Sequence, residues 1–317
     1  MRAYGFLSVI ALAAGDAEIV GVDINGRMLR WDRLTGNVLG GPFQLHLRTI
    51  WGMVLTPDDR EVVTASSDGT VGRWDRTTGR PLGERFTAHA APVLALARTR
   101  DARELITASL DGTARRWERT TGTPLGAPLR GHVHAVRAVA LTPEEDRIVT
   151  AGQDGTVRLW DRESGEPAGT PLAGHTGPVQ SLSVGPDGRE LASGGQDGTV
   201  RRWDRGSGRP VGGPLVTGSP VRAVLLTADG EITAGCADGT LHHWDRTGQR
   251  VGSVIPAHQA AIWSLTATRD ESELLTAGYD SQILRWRHLT GTPLTPARTT
   301  TRIELVPRLE IHGTTPF

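Results

Sequence analysis

The chain has 317 residues, and its 35 basic and 35 acidic side chains cancel to a formal net charge of zero. That balance leaves no electrostatic footprint for nucleic acid or for an anionic membrane surface. A single cysteine, Cys236, excludes an internal disulfide framework and a cysteine-based zinc site and fits a reducing, cytoplasmic setting. No apolar run approaches the ~18 residues that a membrane-spanning helix needs.

At the N-terminus, Met1 and Arg2 followed by an apolar stretch to Ala13 imitate a short secretory signal ending in Ala-x-Ala. The register of the chain argues against that reading. A Trp followed by an acid recurs as Trp31-Asp32, Trp74-Asp75, Trp117-Glu118, Trp160-Asp161, Trp203-Asp204 and Trp244-Asp245, with Trp286-Arg287 as a degenerate seventh, at spacings of 43, 43, 43, 43, 41 and 42 residues. Aligned by these Trp residues, Leu7 to Leu12 matches Val93 to Arg98 and Val136 to Leu141, so cleavage would delete a strand from the first repeat. A period in this range signals stacked copies of one supersecondary unit, none of which can bury its apolar face alone. The copies fall at 7–49, 50–92, 93–135, 136–178, 179–220, 221–261 and 262–297, leaving a tail at 298–317. Length alone would suggest about two domains, but seven contiguous repeats point to one closed domain over 1–297.

Within the third copy, Val93 to Ala97 and Glu104 to Ala108 are short apolar runs separated by a polar turn and read as strands. Asp111-Gly112 supplies a tight hairpin, since Gly tolerates positive φ, and Thr113 to Trp117 returns as a third strand. A second turn ends in Gly, and a fourth segment, Thr123 to Ala127, follows. Pro81, Pro124, Pro167, Pro210 and Pro293 in these fourth segments place them at an outer edge, where a ladder N–H is dispensable. Four antiparallel strands repeated seven times predict an all-β, seven-bladed propeller.

At this point the residues resemble the WD40 repeat family across essentially the whole chain. The resemblance implies a hydrogen-bonded tetrad in each blade, made of a His before the first strand, a Ser or Thr in the second, the turn Asp and the Trp. Five copies carry all four: His46-Thr64-Asp68-Trp74, His89-Thr107-Asp111-Trp117, His132-Thr150-Asp154-Trp160, His175-Ser193-Asp197-Trp203 and His258-Thr276-Asp280-Trp286. Such a set also looks like a hydrolase triad, but catalysis needs one site with an oxyanion hole rather than a ring of five. The sixth copy has Thr217 and Ala234, and the first has Ala3, Gly21 and Asn25, where tetrad members belong, so blades 1 and 6 are expected to be the weaker ones. WD40 rings usually close by a strand exchange. Here blade 7 is expected to take its outer strand from Thr292 to Pro296 and to pack against blade 1 without one. Either a longer N-terminus precedes Met1 or the weakly alternating segment Arg302 to Ile311 latches the seam; the tail is otherwise partly disordered.

Comparison of the copies exposes a charge pattern. Seven residues before the turn Asp or Asn stands an acid in six copies, Glu18, Glu61, Glu104, Glu190, Glu231 and Glu273, and after the Trp-Asp pair stands a cation, Arg33, Arg76, Arg119, Arg205, Arg246 or His288. Hairpin register predicts that these pair within a blade, as Glu61 with Arg76, and that blade 4 swaps the signs, Arg147 facing Glu163.

Function must come from residues the repeat does not need. Seven of the nine Trp belong to the repeat, which leaves Trp51 and Trp263 at the second position of the innermost strand; Ser8, Leu94, Arg137, Gln180 and Arg222 are their equivalents. In the WD40 family this channel rim, with the residue before the turn Asp, commonly forms the partner-binding face; that residue is Tyr279 in blade 7 and Leu110 in blade 3. Trp, Tyr and Arg dominate interface energetics because they bury much area and keep a polar handle. Trp51, Trp263 and Tyr279 are expected to converge on one sector with Arg48 beside them, and Arg137, His134 and Arg222 to line the opposite side, forming a cleft for a peptide with an apolar anchor and an acidic flank. The competing reading is that these Trp pack on neighbouring loops. An enzyme is disfavoured because the innermost strands carry no carboxylate or His for metal or acid–base work. His132 and His134 have a metal-like spacing but His132 belongs to a tetrad, and His242 and His243 point to opposite faces of a strand. The expectation is a monomeric, non-catalytic scaffold for a protein or peptide, without cofactor or metal; the alternative is a sensor module of a larger signalling polypeptide.

Overall fold

The computed structural model describes residues 6–287. Over these residues the backbone forms seven antiparallel sheets and no helix; six sheets have four strands and the last has three. In every sheet the strands are hydrogen-bonded in chain order, from the channel outward. Each innermost strand contacts the next around the ring, and the first, Leu7–Ala13, contacts the last, Ile262–Ala267, so the blades close into a seven-bladed propeller. No described segment is a helix long and apolar enough to cross a membrane.

The second strands Glu61–Ser66 and Glu104–Ser109 are buried along their whole length, and those of blades 4, 5 and 7 beyond their first residue, because each is covered by a blade on both faces. This explains runs such as Val62-Val63-Thr64-Ala65, which do not alternate. The hairpin after six of the seven second strands turns on a glycine, and in blade 7 on Ser281, also at positive φ. At Gly69, with φ +83°, a Cβ would also collide with the His89 carbonyl.

The outer strands depart from the sequence expectation. Thr123 to Ala127 is not a strand: Pro124 makes only an isolated bridge to Trp117, and the fourth strand is the two-residue Leu129–Arg130 beyond it. The same holds in blades 2, 4 and 5, and also in blade 6, where Arg250 rather than a Pro makes the isolated bridge to Trp244, so the break in the ladder does not depend on a missing N–H. Blade 1 has no Pro at that position, and its outer strand runs on as Val38–Gln44. The expected outer strand of blade 7, the 298–317 tail and the proposed latch lie outside the described residues.

The seam is visible on its inner side. Leu7, Ile10, Ile19, Leu29 and Trp31 of blade 1 form one core with Leu275, Ala277 and Ile283 of blade 7. Ile10 N–H donates to Ser264 Oγ (3.2 Å), and Arg269 N–H donates to Asp16 Oδ2 (2.7 Å). Among the described residues these contacts join blade 7 to blade 1.

The predicted charge pairing is corrected. Glu61 does not bond Arg76; it accepts from Arg73 of its own blade (2.8 Å) and from Arg119 of the next. Arg76 reaches back to Glu18 of blade 1, which also holds Arg30 (2.6 Å). Glu104 holds Arg116 and Arg162, both at 2.6 Å, and Glu273 holds Arg285 (2.7 Å) and, across the seam, Arg33 (2.5 Å). Register explains this: Glu61 is opposite Asp75, so its same-face diagonal neighbour is Arg73, two residues earlier. The charge one residue past the strand serves the neighbouring blade instead. Burial would raise the carboxyls of Glu18, Glu61 and Glu273, but the arginine hydrogen bonds outweigh it and hold all three below the usual range. Blade 4 breaks the pattern as a unit: Leu159 replaces the inner Arg, Arg147 bonds Asp161 (2.7 Å) rather than Glu163, and Arg205 turns to Asp146 (3.0 Å).

These inter-blade clasps predict that Glu61→Ala, which strands two arginines, destabilises the fold by about 2 kcal/mol. Glu163→Ala should change it by less than about 0.5 kcal/mol. Urea unfolding of the two variants checks the assignment, and equal losses would restore the within-blade pairing.

Candidate functional site

Each innermost strand carries a β-bulge, and in every blade the skipped residue is its second. The register jumps across Ser8, Trp51, Leu94, Arg137, Gln180, Arg222 and Trp263. An extra residue in one strand is left unpaired and its side chain is re-aimed, so the bulges turn seven side chains out of the sheets. All seven line one cavity of about 220 Å³ at the channel mouth, with Val9 and Ser264. Positions picked from the sequence by subtraction are thus the ones the backbone singles out.

The aromatic sector assembles as a stack. Trp263 lies on Tyr279 with ring centroids 4.9 Å apart and planes 21° from parallel, and Trp51 meets Trp263 at 5.6 Å. Tyr279 in turn meets Phe6 at 5.0 Å. Burial raises the Tyr279 hydroxyl above its ordinary value, against a lowering influence from Arg222. The predicted placement of Arg222 on the opposite side is corrected: its guanidinium lies 5.0 Å over the Trp263 ring, because blade 6 adjoins blade 7. Across the mouth, Arg137 contacts Gln153 (3.4 Å) and Gln180 contacts Gln196 (3.3 Å), the same bulge-to-turn relation that pairs Trp263 with Tyr279. Ser8 is spent on structure, donating to the Ile50 carbonyl (2.6 Å).

Arg48, Leu110 and His134 do not line the cavity; all three are exposed around it. Their side chains leave from connecting loops and turns rather than from bulges. Phe6 was missed, although comparison of repeats could have found it: it stands where other blades carry Thr49, Pro92, Ala135, Pro178, Pro220 and Ala261.

Below the mouth, four of the five tetrads are hydrogen-bonded from Trp to Asp, and that of blade 2 from Trp74 to His46. In blade 3, Trp117 Nε1–H donates to Thr107 Oγ1 (2.8 Å), the hydroxyl donates to His89 Nε2 (2.7 Å), and His89 Nδ1–H donates to Asp111 (2.8 Å). The order follows from chemistry, since an indole only donates, so the hydroxyl proton must go to the imidazole and leave Nδ1–H for the carboxylate. Trp74, Trp160, Trp203 and Trp286 donate to Thr64, Thr150, Ser193 and Thr276 at 2.7, 2.8, 2.8 and 3.0 Å. His132, His175 and His258 reach Asp154, Asp197 and Asp280 at 3.1, 3.0 and 2.9 Å, while His46 stands 3.5 Å from Asp68. Blades 4, 5 and 7 carry a glycine two residues before the Asp, whereas blade 3 reaches its Asp at 2.8 Å with Ser109 in that place. A Cβ on Gly195 would overlap both the His175 ring and the Asp197 carboxylate.

Blades 1 and 6 are built otherwise. Gly21 makes room for the Trp31 ring, whose buried N–H has no partner among the described residues, and Asp23 instead caps the turn through the Asn25 and Arg27 amides, both at 2.9 Å. In blade 6, His242 stacks on Trp244 (5.7 Å), while His243 faces Thr233 (3.0 Å) on the other side of the strand. Among the described residues no group of three His, Cys, Asp or Glu side chains is placed to hold a metal ion.

The fold and the repeated tetrads define a seven-bladed propeller of tandem Trp-Asp repeats. A family model described as "WD domain, G-beta repeat" matches residues 39–75, 79–118, 122–161, 165–204 and 249–287. The chain belongs to the WD40 repeat family, whose propellers commonly serve as protein-interaction scaffolds. The two long unmatched stretches, 1–38 and 205–248, hold Trp31 and Trp244, the repeats without a tetrad. No curated protein matches the chain.

Two outcomes follow from the tetrads. Burial, partly countered by the aspartates, holds His46, His89, His132 and His175 below the ordinary value of 6.5. As pH falls through 6.5 the unfolded chain takes up protons at these rings and the folded one does not, so stability declines on acidification. The melting temperature should therefore drop between pH 7.5 and 5.5, about one unit either side of the ordinary His value; a flat profile at constant ionic strength would contradict this. Gly195→Ala should cost about 1–3 kcal/mol through overpacking. Gly213→Ala, where a Cβ meets nothing within 4 Å, should cost less than about 0.5 kcal/mol in the same urea titration.

Proposed function

We propose that this propeller is a non-catalytic interaction module that captures a protein or peptide segment at the channel mouth. It works as a cytoplasmic monomer in this reading, and its tetrads are structural. The observation that carries the proposal is the stack Phe6–Tyr279–Trp263–Trp51 along one side of the cavity. Core packing of the ring already has its seven repeat Trp, and the bulges lift Trp51 and Trp263 away from it. An apolar cavity of ~150 Å³ accepts a benzene ring, so about 220 Å³ has room for one large apolar side chain. Rigid aromatics around such a cavity are the composition of an interface hot spot. Arg48, Leu110 and His134, exposed around the mouth, extend the contact to flanking residues of the partner.

Selection of a random dodecapeptide display library on the full chain tests this. Wild type should enrich peptides with a large apolar residue, and Trp51→Ala with Trp263→Ala should weaken the selected peptides by about thirty-fold, as loss of a ~2 kcal/mol hot spot requires. The double variant should keep the wild-type melting transition; undiminished binding would refute the assignment.

A further inference from the structure

We propose that the channel mouth is selective for an anion beside that apolar anchor, with a carboxylate of the bound peptide seated between Arg137 and Arg222. This rests on the peptide-binding reading and adds the chemistry of what is bound. The cavity lining includes two guanidiniums and no acidic side chain. That is unusual for this molecule, where the arginines of the clasps are matched to glutamates: Arg30 to Glu18, Arg73 to Glu61, Arg116 to Glu104 and Arg285 to Glu273.

Unused donors gather at the same place. Arg137 Nε, Arg222 Nε and Trp263 Nε1 are all buried and have no hydrogen-bond partner among the described residues. Arg115, Arg158 and Arg201 also have such an Nε, but they lie on third strands, four residues after a tetrad Asp and away from the cavity. Among the described residues Arg137 makes one hydrogen bond, the long one to Gln153 at 3.4 Å. Arg222 is held by its face on the Trp263 ring. Guanidinium donors lie in the plane of the group, so stacking leaves them available to a carboxylate. Burial and the nearby Arg222 charge both push Arg137 below its ordinary value. Two like charges held in a partly buried cavity without a counter-charge are a standing electrostatic cost, which an incoming anion removes and a neutral or cationic group does not.

The aromatic stack and the arginines then read different parts of one ligand. Trp51 and Trp263 take the apolar side chain, and Arg222, which touches Trp263, ties that subsite to the anion subsite. An acidic residue close in sequence to a large apolar one is the peptide chemistry that satisfies both.

The test uses peptides selected by display on the full chain, resynthesised with each glutamate or aspartate replaced by its amide and titrated by fluorescence anisotropy. Acidic residues should be enriched beside the apolar anchor, and the amide form should bind wild type about ten-fold more weakly, as loss of one charge-assisted contact requires. Arg137→Gln with Arg222→Gln should bind acid and amide forms alike, whereas Arg137→Lys with Arg222→Lys, which keeps both charges, should retain the preference. Both double variants should melt as wild type does. Selection of apolar peptides without acids, or an acid preference that survives the double Gln substitution, overturns the anion site while leaving the peptide-binding reading intact. Selected peptides indifferent to loss of Trp51 and Trp263 overturn both.

Discussion

A buried indole N–H needs an acceptor inside the protein, and that requirement organises five of the seven blades. The repeat Trp residues are at most 5% exposed, so water cannot satisfy them. Leaving such a donor unpaired costs about 1–3 kcal/mol. The chain from Trp through Thr or Ser and His to Asp answers this and, in doing so, ties the third strand, the second strand, the loop before the first and the turn between the middle two. One polar chain thus fixes four points of a small sheet whose strands are only about six residues long. Where the chain is missing the blade is held differently: Trp31 gains space over Gly21, Asp23 caps the turn, and the outer strand Val38–Gln44 is the longest of the outer strands described.

Tetrads stabilise blades, and carboxylate–arginine clasps join them. Glu18, Glu61, Glu104 and Glu273 each bridge an arginine of their own blade and one of the next, so charges join blades 1 to 4 and, through Glu273 and Arg33, the seam. A ring held in this way presents its innermost bulges at fixed positions. The structural Trp residues face between blades while the bulge residues face the channel, which lets one scaffold carry an unrelated set of side chains without disturbing its own packing.

Much of this was legible in the residues because seven copies provide their own comparison. Trp51 and Trp263 stood out by exceeding the repeat, Gly21 and Ala234 by breaking the tetrad, and the blades they belong to are those the family model leaves out or the cavity unites. Three readings failed for identifiable reasons. Hairpin proximity assigns Arg76 to Glu61, but strand alternation gives that glutamate to Arg73 and frees Arg76 for Glu18 of the preceding blade. The proline segments read as strands, but the ladder there is reduced to a single isolated bridge, in blade 6 at an arginine as well as at the prolines of blades 2 to 5. Arg222 was placed across the mouth from Trp263, when the two come from adjacent blades and stack.

Sequence alone determined the number of blades, the members of the tetrads and the seven positions that reach the channel, because each depends on spacing within a repeat and spacing is written along the chain. Only the tertiary structure decided which blade each clasp arginine serves, how the seam packs, and that Phe6, Tyr279, Trp263 and Trp51 form one stack with Arg222 laid on it. Those relations join residues from different repeats, up to 273 positions apart from Phe6 to Tyr279. They arise when the ring closes and brings blades 6, 7, 1 and 2 side by side, a neighbourhood that no local pattern records.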